Sequence, residues 1–433
     1  MRQFPAAVIA IASGVGLGIA AWGEHRVPVL ALLLPVALVL CQRRLHAFLL
    51  AGGYAFGLLR HTPEFIGTWF DNSIVAGSAA VTVYAVVTGS VWSLGWSSSS
   101  SPVRRAAAMV AAWLIALTPP LALGVPGHPL VATGYVLPGF GWFGVALSLV
   151  SAAVAAVAVP RLVGWRRAAT AGALVAAAAV AGFTIAPGAD RPQLVHGVVG
   201  VRTDWGPLRR ADDVLERVER MGRLEPLPQA VGYVWPESIL GRYDIALYPV
   251  LQVELLRNAQ RTARLHVIGM DIPTRANQLL NAAVAFYPDG STATAVARQP
   301  APVSLWKPWG KRDSFVADWT AHNVLSLGQG DRAAILFCYE EYLPALVLLN
   351  EAFDKPTLYV AMRNTWAAPH QTSATIQGLH SLGMARLFGR PYIQADNRPV
   401  GAGAGPAEPP SFAHWAQASE NQRATSNLRP LVP

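Results

Sequence analysis

Two cysteines are all that 433 residues contain. Cys41 closes an apolar segment near the N-terminus and Cys338 lies far downstream in a region of different texture, so a disulfide framework is excluded. Charge is also scarce: 14% of the residues are charged against 53% hydrophobic, which excludes an ordinary soluble protein and puts the membrane class first. Lysine is missing altogether through residue 187, where ten arginines face three acids, Glu24, Glu64 and Asp71. From residue 188 onward 24 basic residues face 22 acidic ones, so the net charge of +9 splits as +7 and +2. The excess is confined to the apolar half, which argues against direct nucleic-acid binding.

That half holds seven apolar segments, roughly 5–22, 27–41, 46–60, 73–95, 105–124, 138–160 and 168–187. Most approach the ~20 residues a bilayer requires. The second and third are short, and read as a tight pair or one re-entrant hairpin. Arg2, Arg43 with Arg44, Arg104 with Arg105, and Arg161 with Arg166 and Arg167 fall on one side of this arrangement, and only Arg26 and Arg60 on the other. The positive-inside rule makes the first side cytoplasmic. The expectation is a multi-pass protein of the bacterial inner membrane with its N-terminus in the cytoplasm and everything after residue 188 in the periplasm. The first segment reads as an uncleaved anchor rather than a signal peptide, because six more follow it.

After residue 188 short β-like runs alternate with amphipathic helices. "LRRADDVLERVERMG", "DIALYPVLQVELLRNAQRTA" and "TSATIQGLHSLGMARLFG" predict helices, and "QAVGYVWPES", "RLHVIGMDI", "PTLYVAMRN" and "RPYIQADNRP" predict strands. "NAAVAFYPDGSTATAVAR" predicts a hairpin turning at Pro288, Asp289 and Gly290. Hairpins mixed with β-α-β units predict a layered α/β domain over 188–400, behind a helical bundle over 1–187. The Gly- and Pro-rich stretch 401–433 predicts a flexible tail with no further span.

Within this domain, Cys338 of "FCYEE" stands between a buried-strand pattern and a helical one. A free cysteine is most often an inert, buried apolar residue. At a strand-to-helix turn, however, the helix N-terminus would lower the thiol pKa and make it a nucleophile. Such a nucleophile needs a base and a group to hold the oxyanion. Glu237 in "VWPES", directly after a strand, is the candidate base; its bland alternative is an exposed acid at a strand end. The only lysines between Glu237 and Cys338 are Lys307 and Lys311, in "APVSLWKPWGKRDSF". With Trp306 and Trp309 beside them, that loop reads equally well as a segment at a membrane surface. Glu340 and Glu341 fit a solvated first helical turn, and for Glu341 that reading is preferred.

"VWPES", a lysine in a Trp/Pro-rich loop and "FCYEE", in that order, resemble the Glu-Lys-Cys signature of the carbon-nitrogen hydrolase (nitrilase) superfamily. With "LHVIGM" leading to Asn281, "MRNTWAA" with Asn364, and "GMARLFGRPYIQADNRP", the resemblance covers most of residues 195–400. Combined with an apolar N-terminal half, it points to apolipoprotein N-acyltransferases and to plasmid conjugal transfer proteins of the TraB type. The resemblance implies an α-β-β-α sandwich with Glu237 as general base, Cys338 as thioester-forming nucleophile and Lys307 as oxyanion holder. Glu340, Lys311 and Asn364 would support them. It also implies a membrane lipid or lipoprotein-like acyl substrate or the conjugation machinery as partner, and no cofactor. The chain departs from the acyltransferases in two ways. "PWGK" puts Lys311 where a glutamate is expected, counting back from it finds no lysine at the expected position but only Arg298 in the region, and no span follows the α/β domain. Both departures favour the TraB type, and they leave open an accessory, non-catalytic protein of plasmid transfer.

Overall fold

The structure is a computed structural model that describes residues 3–23, 27–70, 72–162, 194–224, 226–242, 248–310, 314–328, 330–368 and 372–399. The seventh apolar segment, Lys311 and the tail lie outside them. In the apolar half the chain forms α1 (Gln3–Trp22), a 3-10 turn (Pro28–Leu33) running into α2 (Leu34–Leu40), α3 (Arg44–Leu58), α4 (Thr62–Trp69), α5 (Ile74–Ser93), α6 (Pro102–Leu117), α7 (Pro129–Val136) and α8 (Gly141–Ala158). Among the described residues three helices are long and apolar enough to cross a membrane: Pro5–Trp22, Ile74–Ser93 and Gly141–Arg161. Among the described residues, which hold six of the seven expected spans, length supports three. The second segment yields a 13-residue helical stretch, Pro28–Leu40, the third 15 residues and the fifth 16. At 1.5 Å per residue, helices of that size fall well short of a ~30 Å hydrocarbon core unless neighbouring segments extend them.

The first and third helices meet through glycine on both sides. A Cβ added at Gly14 or Gly18 would lie 2.0 Å from the Leu50 carbonyl oxygen or 2.2 Å from that of Tyr54; at Gly53 or Gly57 it would lie 2.6 Å from that of Ile11 or 2.3 Å from that of Val15. Two small-x-x-x-small stripes therefore let the backbones touch, a device suited to helices that have no hydrophobic drive to pair in lipid.

The second half forms two sheets. One has the order β1-β2-β4-β5-β6-β7, from Leu194–Val195, Val198–Gly200, Gly232–Val234, Leu265–Pro273, Leu279–Phe286 and Thr292–Val296. The other has the order β3-β11-β10-β9-β8, from Arg202–Thr203, Tyr392–Asn397, Leu358–Asn364, Asp331–Phe337 and Val324–Gly328. Val234, Val267, Ala283 and Ala285 of the first sheet share a buried cluster with Ile335, Phe337, Val360 and Ile393 of the second, so the sheets pack face to face. The outer face of the first sheet is covered by α9 (Ala211–Gly222) and α10 (Tyr248–Thr262). That of the second is covered by α11 (Pro344–Leu349) and α12 (Thr372–Leu387). The α-β-β-α layering is thus present, and the elements anticipated from periodicity occupy the anticipated segments.

The helical half does not hang from this sandwich by a tether; it packs on α12. Gly134 of α7 sits so close to Gly383 that its Cβ would overlap the Gly383 carbonyl oxygen, at 1.7 Å. Tyr135 Oη donates to the Leu379 carbonyl at 2.7 Å, the Gly127 N–H donates to His380 Nε2 at 3.0 Å, and Trp22 stacks on the His380 ring at 4.2 Å. Bundle residues such as Trp22, Tyr54 and Val131 consequently belong to the same apolar core as Ile376, Leu379 and Leu336.

Candidate active site

Strands β4, β9, β10 and β11 each run parallel to their parallel-paired neighbours, and the segments that follow them converge at their carboxyl ends. This is where ligand sites form in α/β sheets, because the backbone there turns away and leaves a crevice. Glu237 follows β4 and Cys338 follows β9. Asn364 closes β10 opposite Asn397 of β11.

The approach of Glu237 is fixed by a missing side chain. A Cβ added to Gly269, inside β5, would lie 2.3 Å from the Pro236 oxygen and 2.7 Å from the Glu237 Cα, so only glycine lets the loop lie across the strand. Asn281 of β6 then donates from Nδ2 to Glu237 Oε1 at 2.5 Å. Three non-glycine residues beside the site hold left-handed backbone, Ser238 at φ 45°, Cys338 at 34° and Val303 at 67°. Such strain persists where surrounding structure over-determines it, and it clusters at functional sites.

The structure puts Glu237 and Cys338 together on the cavity wall, close enough that each shifts the proton affinity of the other. Burial pushes the Glu237 carboxyl up to about 8, with the Asn281 and Cys338 hydrogen bonds pulling down and Asp271 and Glu340 adding to the rise. The Cys338 thiol stands well above its ordinary value, first through burial and then through the neighbouring Glu237. Hydrogen bonds from Gln377 Nε2, at 3.5 Å, and from the Asn364 backbone N–H pull it down. The expected lowering by a helix N-terminus is therefore corrected. Cys338 opens a 3-10 turn, Cys338–Tyr342, rather than a helix, and the nearest charge is a carboxylate.

The two glutamates behind Cys338 serve different neighbours. Glu340 is fully buried and accepts backbone N–H bonds from Arg298 (2.6 Å), Gln299 (2.8 Å) and Phe337 (2.9 Å), tying the chain after β7 to the cysteine turn. Burial raises its carboxyl to about 7 against those three bonds. The solvated reading of Glu341 is overturned. Arg363, buried in β10, needs a counter-ion; it pairs with both oxygens of Glu341, which also accepts from Ser381 and, at 3.1 Å, from Tyr392 Oη.

The pair opens into a cavity of about 720 Å³. Glu237, Ser238, Asp271, Cys338, Asn364 and Gln377 make it polar on one side; most of the rest is apolar and comes largely from the bundle, including Phe65, Ile66 and Trp69 of α4 and Ala76, Ala80 and Val83 of α5. Pro300 to Leu305 form another wall. Lys307 lies just past that wall, its backbone N–H bonded to Ser314 Oγ at 2.8 Å, and is not among the lining residues. Arg298 turns its guanidinium away, to Asn350 at 2.5 Å and Asp354 at 2.9 Å. Among the described residues no lysine or arginine lines the cavity, and no group of three or more His, Cys, Asp or Glu could hold a metal.

Gln377, Asp271, Gly269 and Tyr339 were not singled out by the sequence. Gly269 alone carried a signal, as a glycine inside a strand pattern. Tyr339 links the turn to the bundle through hydrogen bonds to the Leu123 carbonyl and the Tyr84 hydroxyl.

No family model matches the chain. It is 27% identical over 412 residues to the conjugal transfer protein TraB of Agrobacterium fabrum, covering 88% of this chain and 91% of the relative. It is 27% identical over 418 residues to a probable conjugal transfer protein TraB of Sinorhizobium fredii, covering 90% and 97%. Among solved structures, an amidase from Nesterenkonia sp. aligns over 49% of this chain and 80% of its own at 16% identity and a TM-score of 0.37. A carbon-nitrogen hydrolase from Helicobacter pylori G27 aligns over 46% and 72% at 13% identity and 0.34. The chain thus has homologues named conjugal transfer protein TraB along about nine-tenths of its length, and structural neighbours among the carbon-nitrogen hydrolases.

Proposed function

We propose that this is a membrane-bound, nitrilase-like acyl-transferring or amide-cleaving protein that works through a thioester on Cys338, at the periplasmic face of the inner membrane. The observation that carries the reading is the buried Glu237 carboxyl set beside the Cys338 thiol on the wall of a largely apolar cavity. Glu237, when ionised, accepts the thiol proton, and Cys338 Sγ attacks the carbonyl carbon of an ester or amide. The C=O electron pair moves to oxygen and returns as the leaving group departs with the proton held by Glu237. An amine or water then resolves the thioester. Asn281 aims the base, Glu340 and Asn364 fix the turn around the sulfur, and Lys307 or Lys311 remains the proposed cation. A cavity wall built by α4 and α5 suits an acyl chain drawn from the bilayer, and exposed Trp309 and Val303 on the loop beside it suit a membrane surface.

A second reading, an accessory protein of conjugative transfer with no turnover, is favoured by the absence of a lysine or arginine among the described lining residues and by the TraB-named homologues. One paired experiment separates the two. Purified protein is given an activated acyl ester and Cys338 is examined for a thioester by intact mass, while Cys338→Ser is tested for plasmid transfer in cells. Acylation of the wild type with transfer lost in the variant supports the enzyme. No acylation with undiminished transfer ends it in favour of the scaffold.

A further inference from the structure

We propose that the Gln377 carboxamide is a catalytic hydrogen-bond donor of this site: it holds the Cys338 sulfur at rest and passes its N–H to the oxyanion that forms when this sulfur attacks a carbonyl. The proposal rests on the thioester reading above.

Gln377 is 3% exposed, yet its Nε2 stands 3.5 Å from Cys338 Sγ and the residue lines the cavity. A buried glutamine is costly unless its amide is used, and the partner it has found is a sulfur, a weak acceptor. The donor is also held firmly. One turn along α12, the Ser381 hydroxyl is shared between the main-chain carbonyl of Gln377, at 3.2 Å, and Glu341, and Arg363 donates to the main-chain carbonyl of Ala374 at 3.0 Å. The ion pair under the cysteine turn thus fixes the helix that carries the amide. Fixed dipoles aimed at developing charge stabilise it without reorganising at the moment of reaction.

During attack the sulfur lone pair becomes the S–C bond, and the C=O pair becomes an oxyanion two bonds from the sulfur. The carboxamide loses its acceptor in the same step that creates a stronger one beside it. No proton moves to or from Gln377; the thiol proton goes to Glu237 and leaves with the departing group. A neutral donor also fits this cavity, where both described charged liners, Glu237 and Asp271, are carboxylates.

Full-length protein in detergent, on a Cys41→Ala background so that Cys338 is the single thiol, is compared with Gln377→Met and Gln377→Glu. The first keeps the length of the side chain, and the second its shape. Alkylation of Cys338 by iodoacetamide across pH reads the thiolate directly. Its midpoint is expected to move up in the Met variant and further in the Glu variant. Acyl-enzyme formation from p-nitrophenyl dodecanoate, followed by intact mass, is expected to slow by about 10²–10³ in the Met variant, with half-saturation unchanged. A Met variant that melts with the parent and acylates at the parent rate overturns the role of Gln377 and leaves the thioester reading intact. A parent that forms no acyl-Cys338 overturns both.

Discussion

Glu237 keeps its proton to higher pH than an exposed carboxylate because the cavity and the sandwich remove its water and supply only the Asn281 amide and the Cys338 thiol in exchange. Its folded value, about 8, lies above the ordinary value of 4.5, so the folded state binds this proton more tightly than the unfolded chain does. The stability tied to it is fully present below about pH 4.5 and is lost as pH rises through about 8. Glu237→Gln, the neutral isostere, removes this dependence. Its stability relative to wild type is expected to grow by roughly 1 kcal/mol per pH unit between about pH 5 and pH 8 and then level off, as read by melts in parallel buffers. Activity runs the other way, since only ionised Glu237 can take the thiol proton; wild-type acylation is expected to climb through about pH 8, while the variant stays inactive across that range. A flat wild-type profile, or an offset between the melting curves that ignores pH, would show that Glu237 is not the group described. Glu237 and Cys338 were visible from their strand-end motifs, because a strand followed by a stiffening Pro236 or a turn is a local pattern. Glu341 was not, since its partner Arg363 arrives from another strand and Tyr392 from a third. Gln377 was hidden for the same reason: its meaning lies in which side chain faces it.

At the scale of elements, α12 joins everything. One face carries Gln377 and Ser381 toward the cysteine turn, and the other carries Leu379, His380 and Gly383 toward the bundle. The crossing with α7 depends on small residues, because a Cβ at Gly383 would lie 2.5 Å from the Val131 carbonyl oxygen and 2.8 Å from the Tyr135 ring. Gly383→Leu therefore cannot be accommodated without moving one helix off the other. The expected cost is about 1–3 kcal/mol of stability, the usual range for overpacking. Iodoacetamide labelling of Cys338 is expected to change together with the melting temperature, because displacing α12 moves the Gln377 amide from the sulfur. A variant that melts lower but labels like wild type would mean that the bundle contact does not position the site. Period-2 and period-3.6 patterns made the strands and helices of the second half legible, since each buries one face. In the first half almost every residue is apolar, so the pattern has no contrast. Short α4 and α7, eight residues each, fall between the apolar segments, where the sequence predicts only connecting loops, although they supply a cavity wall and the α12 contact.

At the scale of the molecule, the two halves build one cavity, with chemistry at the sandwich end and apolar length at the bundle end. A substrate that places a carbonyl at Cys338 lays whatever is attached to it along α4 and α5. If that attachment is an acyl chain, each buried CH₂ contributes about 0.8 kcal/mol before chain ordering is subtracted. Extending a p-nitrophenyl ester from about eight to about twelve carbons is then expected to lower the half-saturating concentration by one to two orders of magnitude, with a much smaller effect on the acylation rate at saturation. Ala80, about a third of the way along α5 and on the cavity wall, gives the means to test where the chain lies. Ala80→Phe fills part of the channel without touching Glu237, Cys338 or Gln377, so short esters should react as with wild type while the benefit of length disappears. Loss of activity for all chain lengths would instead indicate a damaged fold, which a melting curve identifies. An unchanged length dependence would place the chain elsewhere and leave the bundle cavity without a role in substrate selection.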